Sequence, residues 1–309
     1  SIGGRGKEEN KFHDFEFMEF TSDGDLVFMD RRKLQYSILT KDGEPVITYP
    51  YNLSDQFYPS RLDYINQSLL ALQLDADIPS NPPPLFERDF FFVYSTDFQE
   101  MKYSFFSYKE LDVPFMMNTF AWISSATYRG SYNLSEFSNQ IVFSPGIYNG
   151  KLYKMSFKNG KIWEYVDYFK GVAPSGKSII ELTSNEHTIQ KKYPAVSEIH
   201  FGEGIHRGRL YSVDTGIFQL DDGRIIHFFG EWRGGDTTME EGNLLEIDVQ
   251  FFDKEFELIQ HEHLFRVEID KRPRMPLVNW KDKDDNFYLI DTEDGIPVVR
   301  RFQLQLPES

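Results

Sequence analysis

Five times along this chain a polar turn runs straight into a short apolar segment. Asp23-Gly24-Asp25 precedes Leu26-Val27-Phe28-Met29, Asn66-Gln67-Ser68 precedes Leu69-Leu70-Ala71-Leu72, and Ser138-Asn139-Gln140 precedes Ile141-Val142-Phe143. The unit returns as Asp221-Asp222-Gly223 before Arg224-Ile225-Ile226-His227-Phe228-Phe229, and as Asp284-Asp285-Asn286 before Phe287-Tyr288-Leu289-Ile290. One strand-and-turn unit cannot bury its apolar face alone. Its recurrence at intervals of roughly 40 residues or more marks a β-propeller blade or a similar array, in which each copy stacks on the next.

The first copy expands into a complete blade. Glu16 to Phe20, Asp25 to Asp30, Leu34 to Thr40 and Pro45 to Tyr49 read as four antiparallel strands, with Asp23-Gly24 and Asp42-Gly43 as the hairpin turns. The second runs from Arg61 to about Phe106 around a Pro-rich loop at Asn81 to Pro84, and the third from Tyr132 to Tyr168 with its last turn at Lys158-Asn159-Gly160-Lys161. Gly216 to Leu264 is another, and Met275 to Gln305 shows only three strands. The stretch between Gln140 and Arg224 is about twice as long as that between Asp25 and Ser68, which leaves room for one degenerate blade within Val172 to Val213, the alternative being an insertion in a five-bladed ring. The expectation is therefore one all-β domain over residues 1–309, a six-bladed β-propeller of four-stranded antiparallel blades. These span about 12–50, 57–113, 119–169, 170–213 (degenerate), 214–265 and 275–306. The final blade is expected to lack its outermost strand or to borrow it from residues before Phe12.

Composition agrees with strands. Aromatic residues make up 16 % of the chain, with 29 Phe and 17 Tyr, bulky types that pack well on a pleated surface. With 33 basic against 49 acidic residues the formal charge is −16, a field that repels phosphate backbones and anionic lipid, so nucleic acid is not an expected partner. No apolar run approaches the roughly 20 residues a membrane-spanning helix needs. Cys is absent, which removes disulfides, thiolate metal sites and a Cys nucleophile. The chain starts at Ser1, so a processed N-terminus is expected.

The lead-in Ile2-Gly3-Gly4-Arg5-Gly6-Lys7-Glu8-Glu9-Asn10-Lys11-Phe12 resembles the Gly-rich opening of six-bladed TolB-like or NHL-like propellers found as lipoproteins in Bacteroidetes. That family's Gly-Pro-Gly-Glu is replaced here by Glu8-Glu9-Asn10-Lys11. Asn286-Phe287-Tyr288-Leu289 and Pro297-Val298-Val299-Arg300-Arg301-Phe302 are similar to its closing blade. The resemblance implies the propeller fold and an exported location, periplasmic or held at the outer membrane or cell exterior. It brings no catalytic residues to carry over.

Four motifs bear on chemistry. Gly171-Val172-Ala173-Pro174-Ser175-Gly176-Lys177-Ser178 spells a phosphate-cradling loop, but that loop works only between a parallel strand and a helix whose N-terminus faces the phosphates. Here it follows the outer strand of a hairpin, and an inter-blade loop is the expected reading. His261-Glu262-His263 puts two imidazoles on one face of a strand, a spacing metals use, although the motif supplies no further ligands and a solvated outer face is the ordinary explanation. His200 and His206 fall in the irregular segment, where function is more common than in a core. The paired acids Asp221-Asp222 and Asp282-Lys283-Asp284-Asp285 sit in hairpins, where Asp is favoured by local turn hydrogen bonds.

The remaining signal is a sorting of charge between loops. Hairpins joining first to second and third to fourth strands are acidic, with Asp23, Asp42, Asp97, Asp221, Asp253 and Asp282 among them. The loops expected on the opposite face carry Arg31, Arg32, Arg88, Arg129, Arg207, Arg233, Arg272 and Arg274, together with Tyr58, Tyr128 and Trp232. Arg captures carboxylates through a planar, bidentate fork, and aromatic faces suit a flat or sugar-like surface. The same Arg stems could instead simply cover apolar loop surface. The candidate ligand-binding residues are Arg129, His200, His206, Arg207, Trp232 and Arg233. No cofactor, metal or catalytic set is assigned. The expected function is a non-enzymatic binding propeller for a small anionic or sugar-like ligand, an acidic peptide or a protein partner. A metal-dependent propeller hydrolase or lactonase is the alternative, and a nucleotide hydrolase is a third.

Overall fold

A computed structural model of the chain describes residues 15–20, 25–30, 33, 35–40, 42–50, 58–65, 68–74, 89–96, 100–107, 110, 131–135, 139–146, 148–174, 179–181, 197–201, 204–209, 212–233, 244–268, 277–293 and 296–307. The chain divides into two compact units, Ser1–Pro114 and Phe115–Ser309. All regular structure among the described residues is β-strand, and every strand pairing is antiparallel. No helix among them is long and apolar enough to cross a membrane.

The first unit holds two four-stranded sheets in simple sequential order. One is β1 (Phe15–Phe20), β2 (Leu26–Asp30), β3 (Gln35–Leu39) and β4 (Pro45–Pro50); the other is β5 (Tyr58–Ile65), β6 (Ser68–Leu74), β7 (Asp89–Tyr94) and β8 (Met101–Ser107). Phe90 to Tyr94 of β7 are all buried, the pattern of a strand covered on both faces, and Phe91 stacks on Phe105 of β8 with ring centroids 5.2 Å apart. The Pro-rich loop at Asn81 to Pro84 and the lead-in before Phe12 lie outside the described residues.

The second unit repeats the meander with β9 (Ser131–Ser135), β10 (Gln140–Ser144), β11 (Lys151–Lys158) and β12 (Ile162–Lys170). A three-stranded sheet follows, made of β13 (Ile179–Glu181), β14 (Ser197–Phe201) and β15 (Gly204–Arg209) in the non-sequential order β13-β15-β14. Then come β16 (Ser212–Gln219), β17 (Ile225–Arg233), β18 (Leu244–Phe252) and β19 (Leu258–Glu268), and last β20 (Leu277–Lys281), β21 (Asn286–Glu293) and β22 (Ile296–Gln303). The turns follow local chemistry. Asn159 and Gly160 both have positive φ (53° and 64°) between β11 and β12, the conformation that a two-residue hairpin matched to strand twist requires. Asp282 organises the β20–β21 turn, accepting hydrogen bonds from Asp284 N (3.0 Å) and Asn286 N (2.9 Å). Asp253 does the same between β18 and β19 for Glu255 N and Glu257 N. The acidic hairpins are thus turn-formers.

Packing in this unit bears on the place of the stretch 170–213. Val142, Leu152 and Phe169 of the β9–β12 sheet, with Tyr148 of its β10–β11 connection, share one buried cluster with Ile217, Ile225, Phe229 and Phe252 of the β16–β19 sheet. On the other face of β16–β19, Ile226, Phe228, Val249 and Phe251 pack with Val278, Phe287 and Leu289 of the last sheet. Strand alternation divides the two sets: Ile225 and Phe229 face one way, Ile226 and Phe228 the other. The sheets that flank the stretch 170–213 in sequence therefore touch each other directly. The strands β13 to β15 between them in sequence form a separate three-stranded sheet. The last sheet has three strands, and no fourth joins it among the described residues.

Candidate functional site

The two ends of the stretch 170–213 meet at one buried polar cluster. At its start, Val172 N donates to Gln250 Oε1 (2.8 Å) on β18, and the Val172 carbonyl accepts from the Tyr148 hydroxyl (3.0 Å). At its end, Asp214 N on β16 donates to the Gly146 carbonyl (3.2 Å), while Asp214 Oδ1 lies 3.0 Å from Nε2 of His227 on β17. Gln250 Nε2 joins the halves, 2.9 Å from the Tyr148 hydroxyl and 2.6 Å from His227 Nδ1. Ser144 Oγ, at the end of β10, is 2.8 Å from His227 Nε2.

Ser144, His227 and Asp214 are the residue types of a hydrolytic triad, yet their geometry is not one. In a triad the acid holds Nδ1 and the serine meets Nε2. Here both Ser144 and Asp214 meet Nε2, and the Gln250 amide occupies Nδ1. Val172 N fixes Gln250 with its oxygen toward the backbone, so its NH₂ must donate to Nδ1. The imidazole proton then sits on Nε2, which keeps no lone pair to accept a proton from Ser144. Ser144 and His227 are wholly buried, so no substrate reaches them. Burial, followed by the nearby Asp214 carboxylate, pushes the Tyr148 hydroxyl well above the ordinary tyrosine range and keeps it a neutral donor. The cluster clasps the neck of that stretch.

The clasp also accounts for the start of the phosphate-loop motif. A Cβ on Gly171 would stand 2.3 Å from the Tyr148 hydroxyl oxygen and 2.4 Å from Gln250 Oε1, so the position has no room for a side chain. Strand β13 at Ile179–Glu181 follows the motif where a phosphate loop needs a helix, and Ser175 to Ser178 lie outside the described residues. At the sheet's outer edge, His261 Nε2 and His263 Nδ1 bond the two oxygens of Asp248 at 3.0 and 2.9 Å, and His263 Nε2 lies 3.1 Å from Glu246 Oε2. Each imidazole takes a different carboxylate oxygen. Among the described residues no group of three or more such side chains is placed to hold a metal ion.

The sequence-derived candidates fall on two sheets. His200 lies in β14 opposite Ile205, and His206 in β15 opposite Ile199. Arg207 occupies the middle row of that sheet, between Glu198 on β14 and Glu181 on β13. These three were expected in irregular loop, and regular strands hold them instead, because β14 and β15 pair antiparallel from Ser197 opposite Gly208 to Phe201 opposite Gly204. Trp232 and Arg233 end β17, opposite Leu245 and Leu244 on another sheet. Arg129 lies outside the described residues, as do Arg31, Arg32, Arg88, Arg272 and Arg274. The sequence reading missed the clasp itself. Its signal was present, as His227 and Gln250 are polar residues set inside apolar strand runs.

No family model and no curated protein matches the chain. Among solved structures it is similar to a member of the DUF4221 family from Bacteroides vulgatus, at 10 % identity and a TM-score of 0.55 over 96 % of this chain and 81 % of that one. It also aligns with virginiamycin B lyase from Staphylococcus aureus at 12 % identity and a TM-score of 0.40, over 97 % of this chain and 73 % of that one. A third alignment is with the periplasmic gluconolactonase of Pseudomonas aeruginosa, at 11 % identity and a TM-score of 0.34, over 82 % and 70 %. At such identities the first likeness speaks to fold alone, and the other two carry no argument. With the repeated four-stranded meanders, it supports an all-β fold of the β-propeller type.

Proposed function

We propose that the protein is an exported binding propeller, built on five blade sheets, whose ligand-binding element is the inserted sheet β13–β15. The ligand class is anionic, an acidic sugar or an acidic peptide, and His200 and Arg207, which register places on one face of that sheet with His206 on the other, are the residues that meet it. The observation supporting this reading is the direct packing of the two flanking sheets. Those two sheets meet without the insertion between them, and long insertions of that kind in compact domains are commonly functional. Arg207 adds a planar fork suited to carboxylates. Exported location rests on the resemblance of the chain ends to the lipoprotein propellers.

The test screens acidic sugars and peptides against the wild type, Arg207→Ala, Arg233→Ala, and a variant in which residues 175–211 are replaced by a short Gly/Ser linker. Val172 and Asp214 are retained, so the clasp is expected to keep the excised protein cooperatively folded. A hit is expected to weaken at least tenfold with Arg207→Ala, to disappear on excision and to weaken as salt rises. A ligand that binds the excised protein as well as the wild type would place the site elsewhere. Cation-dependent turnover of esters or lactones in the same screen would replace the binding reading with the hydrolase one.

A further inference from the structure

Strand β19 is tied to β18 by a chain of side chains in which all four oxygens of two carboxylates are taken. Asp248 Oδ2 accepts from His261 Nε2 at 3.0 Å, and Asp248 Oδ1 lies 2.9 Å from His263 Nδ1. Glu246 Oε2 lies 3.1 Å from His263 Nε2, and Glu246 Oε1 accepts from Arg266 Nε at 2.7 Å. Along the face the order is Arg266, Glu246, His263, Asp248, His261. The side chains of Glu246 and Asp248 are only 10 % and 5 % exposed, whereas that of His263 is 48 % exposed, so solvent protons reach the ring that joins two buried acids.

Register fixes what else shares this face. On β17 Phe229 stands opposite Asp248 and stacks on the His261 ring with centroids 5.9 Å apart, and Glu231 stands opposite Glu246. On β16 Asp214 is engaged by His227, whose one ring proton sits on Nε2. Glu262, between the two histidines in sequence, belongs to the other face, opposite Val249. His261 uses a single N–H and holds Asp248 in either charge state. His263 differs, because both of its nitrogens face carboxylate oxygens. A neutral imidazole has one N–H and one lone pair, so in either tautomer a lone pair would point at an oxygen 2.9 or 3.1 Å away. Turning either carboxylate aside would break its bond to His261 or Arg266. A proton placed on a carboxylate instead would pass to the ring, the stronger base. Only the imidazolium satisfies both contacts.

We propose that His263 is a proton-operated latch between β18 and β19, closed when the ring carries both protons and open when it loses one. Closed, the charges of Arg266, Glu246, His263 and Asp248 sum to zero with His261 neutral, so the buried carboxylates are matched. Opened, the same face sets two buried carboxylates against one guanidinium, and a ring lone pair repels one of them. The backbone ladder between β18 and β19 is untouched by the proton, so the effect is a loosening of the edge strand and not its loss. The sign follows from proton linkage. The latched state holds a proton that the released state gives up, so β19 is tightest on the mildly acidic side of the histidine range and loosens as pH rises through it. The latch is independent of the inserted sheet and of the ligand proposed for it.

The measurement is amide hydrogen exchange of the whole chain at about pH 5.5 and about pH 8.5, on either side of the range in which histidine changes charge, with intrinsic exchange rates divided out. Protection of β19 is expected to fall roughly tenfold further than that of β12, an outer strand without histidine, as befits the loss of a charge-assisted bond. Long-range proton–nitrogen NMR should show the second ring proton of His263 leaving in step with that protection. Glu246→Gln should remove the pH response, since an amide can accept from a ring N–H or donate to a ring lone pair. His261→Gln should preserve it, because that position needs one donor only. Both variants keep a hydrogen-bonding side chain in place, so the test does not depend on a truncated residue folding. Equal changes in β19 and β12, a response that survives Glu246→Gln, or one that disappears with His261→Gln overturns the proposal.

Discussion

The β16–β19 sheet makes two junctions, and they are built differently. Toward β20–β22 the contact is apolar, with Phe218, Phe228, Phe287 and Phe302 meeting mainly edge to face among aliphatic side chains and Phe228 and Phe287 at 5.2 Å. Toward β9–β12 apolar packing surrounds a polar centre of Ser144, Tyr148, Asp214, His227 and Gln250. Apolar contact is non-directional and joins sheets that are already close in sequence. The polar junction lies where the chain departs at Val172 and returns at Asp214 after a long excursion. There, directional hydrogen bonds fix both ends of the excursion as well as the sheets. A long excursion can therefore leave a propeller-type stack without separating the sheets on either side of it.

The largest effect separating the two junctions should come from Asp214→Ala. It leaves the buried His227 N–H with only Ser144 Oγ as acceptor and should cost about 1.5–3 kcal/mol, the range for a lost hydrogen bond to a charged group. Denaturant unfolding measures this, and combining it with Gln250→Leu should give a strongly non-additive total, since both residues bond the same ring. Additive costs would mean that the clasp does not act as one unit.

Each junction also contains a glycine with no space for a side chain, and alanine there should cost about 1–3 kcal/mol through forced displacement. Gly216→Ala is expected to be the worse, since its Cβ would meet the Val278 carbonyl oxygen at 2.6 Å and its φ is +150°. Gly171→Ala meets side-chain atoms of Tyr148 and Gln250, which can move, though only by loosening the clasp. Thermal unfolding of the pair should rank them in that order; the reverse order would make the polar junction the more rigid.

A smaller contrast lies within the clasp region. Ser144→Ala removes a hydrogen bond to His227 and should cost about 1 kcal/mol. Ser212 Oγ and Thr215 Oγ1, on either side of Asp214, are buried without a hydrogen-bond partner among the described residues, so Ser212→Ala and Thr215→Val should be neutral or stabilising. Equal losses at Ser144 and Thr215 would show that burial, not bonding, sets the cost here.

The smallest expected effect is confined to the β20–β21 turn. Burial disfavours the Asp282 carboxylate, but hydrogen bonds from the Asn286 backbone and side chain, the Tyr288 hydroxyl and Asp284 N outweigh it and bring the pKa from 3.8 to about 2. A depressed folded-state pKa means that the turn's contribution is complete above about pH 4 and is lost as pH falls toward 2. Carboxyl titration by NMR should find Asp282 among the most acidic groups, and Asp282→Asn should abolish the pH response of neighbouring amides. A midpoint near 3.8 would show that the turn bonds are not formed in solution.

Sequence alone determined the local units. Strand alternation and turn chemistry are written in neighbouring residues, so the hairpins at Asn159-Gly160 and Asp221-Gly223, the acidic turn-formers and the three-stranded last sheet were all legible. The stacking order was not. Whether residues 170–213 stand between two sheets or outside them depends on contacts such as Phe229 with Tyr148, far apart in the chain, and no local pattern encodes that pairing. The same holds for the clasp: His227 reads as a polar interruption in an apolar run, and only the meeting of β10, β16, β17 and β18 gives it Ser144, Asp214 and Gln250 as partners. Periodicity fixes which residues share a face, whereas tertiary structure decides which faces meet, because burial rewards any complementary apolar surface and only shape and hydrogen bonding choose among them.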